Sequence, residues 1–139
     1  MSLSRKKLRD ICMKLTFQYE FFKKDELDTQ VDVFLDQMEE DELSEEDKAF
    51  IKDRMKLIFS KVPELDEKIS AQAKGWKISR MSGTDLAVMR LAVYEMLFDE
   101  ETPSGVAINE AVELSKLYGS DDSYKFVNGV LGGVAKTLT

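Results

Sequence analysis

Apolar residues recur three or four apart along almost all of this 139-residue chain, the spacing that gathers side chains on one face of an α-helix. Leu8, Cys12, Leu15, Tyr19 and Phe22 form the first such stripe, and Lys6, Lys7, Arg9 and Lys14 fall largely off it. The pattern predicts a first helix with one face in the core and a basic outer side. A second helix is expected from about Asp25 to Glu40, with Leu27, Val31, Phe34, Leu35 and Met38 inward. Its first turn is acidic, which suits the positive end of the helix dipole. Ser44-Glu45-Glu46-Asp47 has the form of a capping box and opens a third helix through Phe50, Ile51, Met55, Ile58 and Phe59. Pro63 suits a first helical position and is read as the start of a fourth, with Leu65, Ile69 and Ala73 inward.

Gly75-Trp76-Lys77-Ile78-Ser79 reads as a joint inside one domain, between helical subdomains of about residues 1–78 and 79–139. Beyond it, Ser82-Gly83-Thr84-Asp85 offers another helix start. Leu86 to Phe98 is the most apolar segment, so its helix is expected at the centre. Pro103 and Ser104 precede a sixth helix from about Val106 to Tyr118, with Gly119 as its C-terminal cap. The last helix, from about Asp122 to Leu138, contains Gly129, Gly132 and Gly133. Each costs about 1 kcal/mol relative to alanine in a helix, which points to close backbone packing. The fold class is therefore all-α, with about seven helices and no strand pattern.

Composition narrows the chemistry. The chain has no histidine, which removes the commonest general base and the main zinc ligand. Cys12 is the sole cysteine, so neither an intrachain disulfide nor a thiolate cluster is available, as fits a reducing compartment. No glycine-rich loop with a lysine follows a strand, so no phosphate cradle of that kind is present. The run Glu39-Glu40-Asp41-Glu42 reads as solvated surface. We assign no catalytic residue, cofactor or metal ligand, and expect a binding protein rather than an enzyme. The start, Met1-Ser2-Leu3-Ser4-Arg5-Lys6-Lys7, has charge but no apolar stretch of signal-peptide length. Nothing approaches the roughly 20 apolar residues of a membrane-spanning helix, and a cytoplasmic location is expected.

The net charge of −7 argues at first against a nucleic-acid partner, but its distribution reverses that. Residues 1–24 carry seven Lys/Arg against Asp10 and Glu20, a net of +5. Residues 25–53 carry thirteen Asp/Glu against Lys48 and Lys52, a net of −11. A basic end beside an acidic flank attracts phosphate at one surface and repels it at the other. Phe17, Tyr19, Phe21 and Phe22 lie near the basic residues, and aromatic rings stack on unpaired bases. Helical spacing sends most of these rings to the core and leaves Phe17 off the stripe. On charge and pattern alone two readings stay open: an RNA-binding domain, or a helical adaptor for a basic protein.

The C-terminal third favours the first. Pro103-Ser104-Gly105-Val106-Ala107-Ile108-Asn109-Glu110-Ala111-Val112-Glu113-Leu114-Ser115-Lys116, then Tyr118-Gly119, then Lys125-Phe126-Val127-Asn128-Gly129-Val130-Leu131, closely resembles the signature of the NusB family of bacterial transcription antitermination factors. Leu86-Ala87-Val88-Met89-Arg90-Leu91-Ala92-Val93-Tyr94-Glu95-Met96 is similar to that family's central helix, and Arg5-Lys6-Lys7-Leu8-Arg9 more loosely to its basic first helix. The resemblance implies two small packed helical bundles and binding of a short single-stranded RNA element, box A, in ribosomal RNA leaders. It also implies a heterodimer with the small-subunit ribosomal protein that serves as NusE, within an antitermination complex on RNA polymerase, and leaves homodimerisation open. Carried over residue by residue, it places RNA contacts on Arg5, Lys6, Lys7, Arg9, Phe17, Tyr118 and Lys125, and partner contact on Asp122. Two positions depart from the family pattern. Leu8 stands where a small residue is usual, and Thr16-Phe17-Gln18 stands for Leu-Tyr-Gln, so a phenolic hydroxyl is missing. Within the motif, Asn109 and Asn128 are expected chiefly to hydrogen-bond between helices, because a mid-helix amide competes for backbone partners. Domains resembling NusB also occur fused to RNA cytosine methyltransferases. Thr139 leaves no room for such a cofactor domain, so that reading ranks last.

Overall fold

The computed structural model describes residues 3–38 and 43–138. Among these the chain is all-α, with no strand: α1 (Arg5–Phe17), α2 (Leu27–Asp36), α3 (Glu45–Gln72), α4 (Gly83–Phe98), α5 (Ser104–Tyr118) and α6 (Ser123–Thr137). Contacts group it into two units, Met1–Ser60 and Lys61–Thr139, with the boundary inside α3 and ahead of the joint read near residue 78. The acidic run 39–42 and the expected end of the second helix at Glu40 lie outside the described residues.

In the first unit Ser4 caps α1, its side chain accepting the Lys7 N–H at 3.2 Å. Ile11, Cys12, Met13 and Leu15 of α1, Leu27, Val31 and Leu35 of α2, and Ile51, Met55 and Ile58 of α3 are buried. Thr16 is buried as well, and its hydroxyl donates to the Cys12 carbonyl at 2.7 Å, so its burial leaves no hydrogen bond unmade. The first helix stops at Phe17, earlier than the stripe through Tyr19 and Phe22 suggested. Gln18–Glu20 and Lys24–Glu26 tighten into 3-10 turns instead. Tyr19 and Phe22 are consequently only half-buried. Tyr19 stacks on Phe59 at 5.9 Å between centroids. The capping box is half formed: Ser44 accepts the Asp47 N–H at 3.0 Å, but the buried Asp47 carboxylate accepts the Leu3 N–H at 3.0 Å rather than reaching back.

The second unit is built on α4, buried without interruption from Leu86 to Glu95. A helix apolar all round belongs at a centre, and α4, α5 and α6 each pack on the other two. One cation is included in that burial. Arg90, 3% exposed, donates from Nε and Nη2 to the two carboxylate oxygens of Asp66 at 2.7 and 2.8 Å. This bidentate geometry lets guanidinium and carboxylate leave water together.

Pro63 does not start a helix; it lies inside the 28-residue α3. The lost N–H bond and the ring clash cost about 3 kcal/mol in a helix interior. Ile51, Met55, Ile58, Val62, Leu65 and Ile69 are nevertheless buried at unbroken three-and-four spacing, and Pro63 faces water. Burial on either side of the proline carries the helix through it. After α3, Gly75 takes φ +81 with open space around it, so conformation and not crowding calls for glycine there. In α6 only Gly133 is crowded, its missing Cβ facing the Gln72 side chain. Nothing lies within 4 Å of that position at Gly129 or Gly132, so close packing does not explain those two. Asn109 and Asn128 are exposed, and neither forms an interhelical hydrogen bond among the described residues; the expectation for both is corrected. At both positions the helix turns the amide to solvent, out of reach of a neighbouring helix.

Candidate nucleic-acid interface

Arg5, Lys6 and Lys7 occupy the first turn of α1 and are exposed, and Arg9 is half-buried one turn on. That turn contains no acidic residue. Cations at a helix N-terminus oppose the dipole, by about 0.3–1 kcal/mol each, so helix stability does not account for them. Added to the positive end of the helix dipole, they make a surface suited to an anion. The four cations do not form one row. Lys6 continues through Asp10 and Lys14 to Phe17, at spacings of four, four and three, along the solvent side of the helix. Arg5 and Arg9 share a different flank. Lys14 is engaged by Asp10 at 3.0 Å, whereas Lys7 forms no ion pair among the described residues. Phe17 is 36% exposed, as its position off the stripe predicts. Beside this helix a cleft of about 340 Å³ is floored by Ile11, Phe34 and Met38 and edged by Lys7 and Lys14.

The remaining candidates lie in the second unit, around the turn from α5 to α6. Gly119 caps α5 with φ −91 and ψ −174, an extended conformation rather than a left-handed one. Its glycine is required by space: a Cβ would come within 2.7 Å of both the Ser115 carbonyl oxygen and Ser123. The buried Ser123 hydroxyl accepts the Ser120 N–H at 3.0 Å and closes the turn. This small rigid loop presents Tyr118, exposed at the end of α5, and Asp122 and Lys125 at the start of α6. Asp122 and Lys125 are 3.9 Å apart and largely in water, a weak pair that leaves both available to a ligand.

Sequence reasoning missed several groups beside these. Trp76 is 56% exposed and meets Phe126 edge-on at 5.9 Å, so the joint residue is an aromatic surface of the second unit. Lys116 and Lys125 approach the Tyr124 ring from 5.3 and 5.9 Å. In the first unit Phe21 is 63% exposed. The signal for Trp76 was present, since a lone tryptophan after a glycine at a helix end has little helix to bury it. The signal for Phe21 was its spacing of four from Phe17, which puts both rings off the buried stripe.

Among the described residues no cluster of His, Cys, Asp or Glu could hold a metal ion, and no helix is long and apolar enough to cross a membrane. Among the described residues the protein is all-helical and exposes basic and aromatic side chains in each of its two units. The sequence profile of the NusB family matches residues 6–136. The transcription antitermination protein NusB of Acetivibrio thermocellus is 44% identical over 134 residues, covering 96% of this chain and 90% of that protein. The NusB of Pseudothermotoga lettingae is 40% identical, covering 96% and 92%. The solved structure of T. maritima NusB superposes with a TM-score of 0.85 at 33% identity, covering 98% of this chain and 93% of the other. The chain belongs to the NusB family, a family of transcription antitermination factors and not of enzymes.

Proposed function

We propose that this protein binds single-stranded, box A-like RNA of ribosomal RNA leaders together with the small-subunit ribosomal protein NusE, and so supports ribosomal RNA transcription within an antitermination complex on RNA polymerase. The observation that carries this reading is the placement of Arg5, Lys6 and Lys7 on the dipole-positive turn of α1, in an otherwise acidic chain. Lysine and arginine neutralise phosphates while unpaired bases are read by stacking and hydrogen bonds. Arg9, Phe17, Tyr118 and Lys125 serve the same RNA, and Asp122 serves the protein partner.

Fluorescence anisotropy of a labelled box A-like RNA, titrated with and without the ribosomal partner, tests the reading. Contact with about four to six phosphates gives a slope of log K against log salt of roughly −3 to −4 for a single strand. The expected result is salt-sensitive binding that tightens when the partner is present. Absence of RNA binding at low salt in both conditions would refute it and leave a protein adaptor, for which the exposed acids Asp25, Glu26, Asp28 and Asp36 supply the docking charge.

A further inference from the structure

The exposed stripe of α1 does not end with the helix. Phe21 follows Phe17 at the next interval of four, carried past the helix end by the 3-10 turn Gln18–Glu20, where its N–H donates to the Gln18 carbonyl at 3.0 Å. The two rings lie 5.1 Å apart at 46°, a tilted pair with Phe21 mostly in water. Two phenyl rings left side by side at a surface forgo the free energy that burying them would give. Among the lysines at this part of α1, two are engaged within the molecule. Lys14 meets Asp10, and Lys24 reaches the Tyr19 carbonyl at 3.1 Å and lies 3.3 Å from the centre of the Tyr19 ring. Lys23 differs. It sits in extended backbone (φ −66, ψ 151), is exposed, and makes no ion pair among the described residues.

We propose that Phe17 and Phe21 together form a stacking platform for an unpaired RNA base, with Lys23 meeting the adjoining phosphate. The bound strand then runs along α1 from Lys6 and past the C-terminal end of the helix, a path of about 17 Å from Lys6 to Phe17 at 1.5 Å per residue. A nucleotide offers a π-face and a negative charge side by side, and this site pairs aromatic faces with a cation in the same way. The surface is also continuous with the basic turn, because Lys6 and Phe17 share one stripe. The inference rests on the RNA-binding reading above.

The test uses the full chain and single-stranded box A-like RNAs with 2-aminopurine at successive positions. Binding is expected to quench one position by stacking. Phe21→Ala should relieve that quench and weaken binding about 5-fold or more, and Phe21→Trp should restore both. Lys23→Gln should make the salt slope shallower by about 0.7, one phosphate on a single strand. If Phe21→Ala keeps affinity and quench while reversing the charges of Arg5, Lys6 and Lys7 abolishes binding, the platform is overturned and the RNA-binding reading stands. If the unaltered protein binds none of the RNAs, the reading itself fails and the platform with it. Should Phe21→Ala fail to fold by circular dichroism, Phe21→Leu decides the matter, since it keeps apolar bulk and removes the π-face.

Discussion

Two helices of similar length, α1 and α4, show how differently this chain uses the same secondary structure. α4 is buried on every side over ten successive residues, and its one cation, Arg90, is held by Asp66 at two points. α1 buries one broad side and turns Lys6, Lys7, Lys14 and Phe17 to water, with three cations set against its own dipole. The buried cation of α4 is satisfied wholly within the fold. In α1 the Asp10–Lys14 pair supports the helix, while the three cations of its first turn oppose its dipole. Family likeness follows the first kind of residue most closely: the motif quoted from residue 86 onward is dense, and the basic helix matches more loosely. Membership of a family is legible mainly from packing, and activity lies mainly elsewhere.

The sharpest way to break this contrast is Asp66→Ala. It leaves Arg90 charged and buried without its partner, and the expected loss of stability is about 3–5 kcal/mol in urea unfolding. A loss below about 1 kcal/mol would mean that water reaches Arg90 and that α4 is less enclosed than described.

Next in size is the joint replacement of Arg5, Lys6 and Lys7 by glutamate. RNA affinity should fall at least about 100-fold at low salt, with three phosphate contacts removed. The same change should leave stability level or raise it by a few tenths of a kcal/mol, because acids suit that turn. Lower stability together with unchanged RNA affinity would show that the basic turn serves the fold.

Gly119→Ala should cost about 1–3 kcal/mol, since the added methyl meets a backbone carbonyl that cannot swing away. An unchanged melting temperature would show that the α5–α6 turn yields easily. The smallest effect is expected from Asn109→Ala and Asn128→Ala, both within about 0.5 kcal/mol of the starting stability. A larger loss would restore the interhelical role that the exposed positions contradict.

The sequence carried the helical class, the central place of α4 and the capping serines Ser44 and Ser82 because each depends on local spacing or a local hydrogen bond. It misled where distant burial overrode a local preference. Pro63 is a favourable helix start by itself, but the stripe from Ile51 to Ile69 keeps its phase across it, and the helix continues. The same holds for the candidate site. The outward placement of Phe17 follows from counting along α1. Phe21, four residues on, falls off the stripe by the same count; what the count does not contain is the tighter turn at Gln18, a change of about 20° per residue, which leaves Tyr19 and Phe22 only half-buried.

The first turn of α1 also bears on descent. Most random replacements of Arg5, Lys6 or Lys7 would relieve an unfavourable charge at the head of a helix, and acidic ones would go further. In a lineage released from its anionic ligand, the helix dipole would favour drift toward Asp and Glu at these positions. That makes the basic turn a gauge of retained RNA binding among relatives that complements the more recognisable motif of α5 and α6.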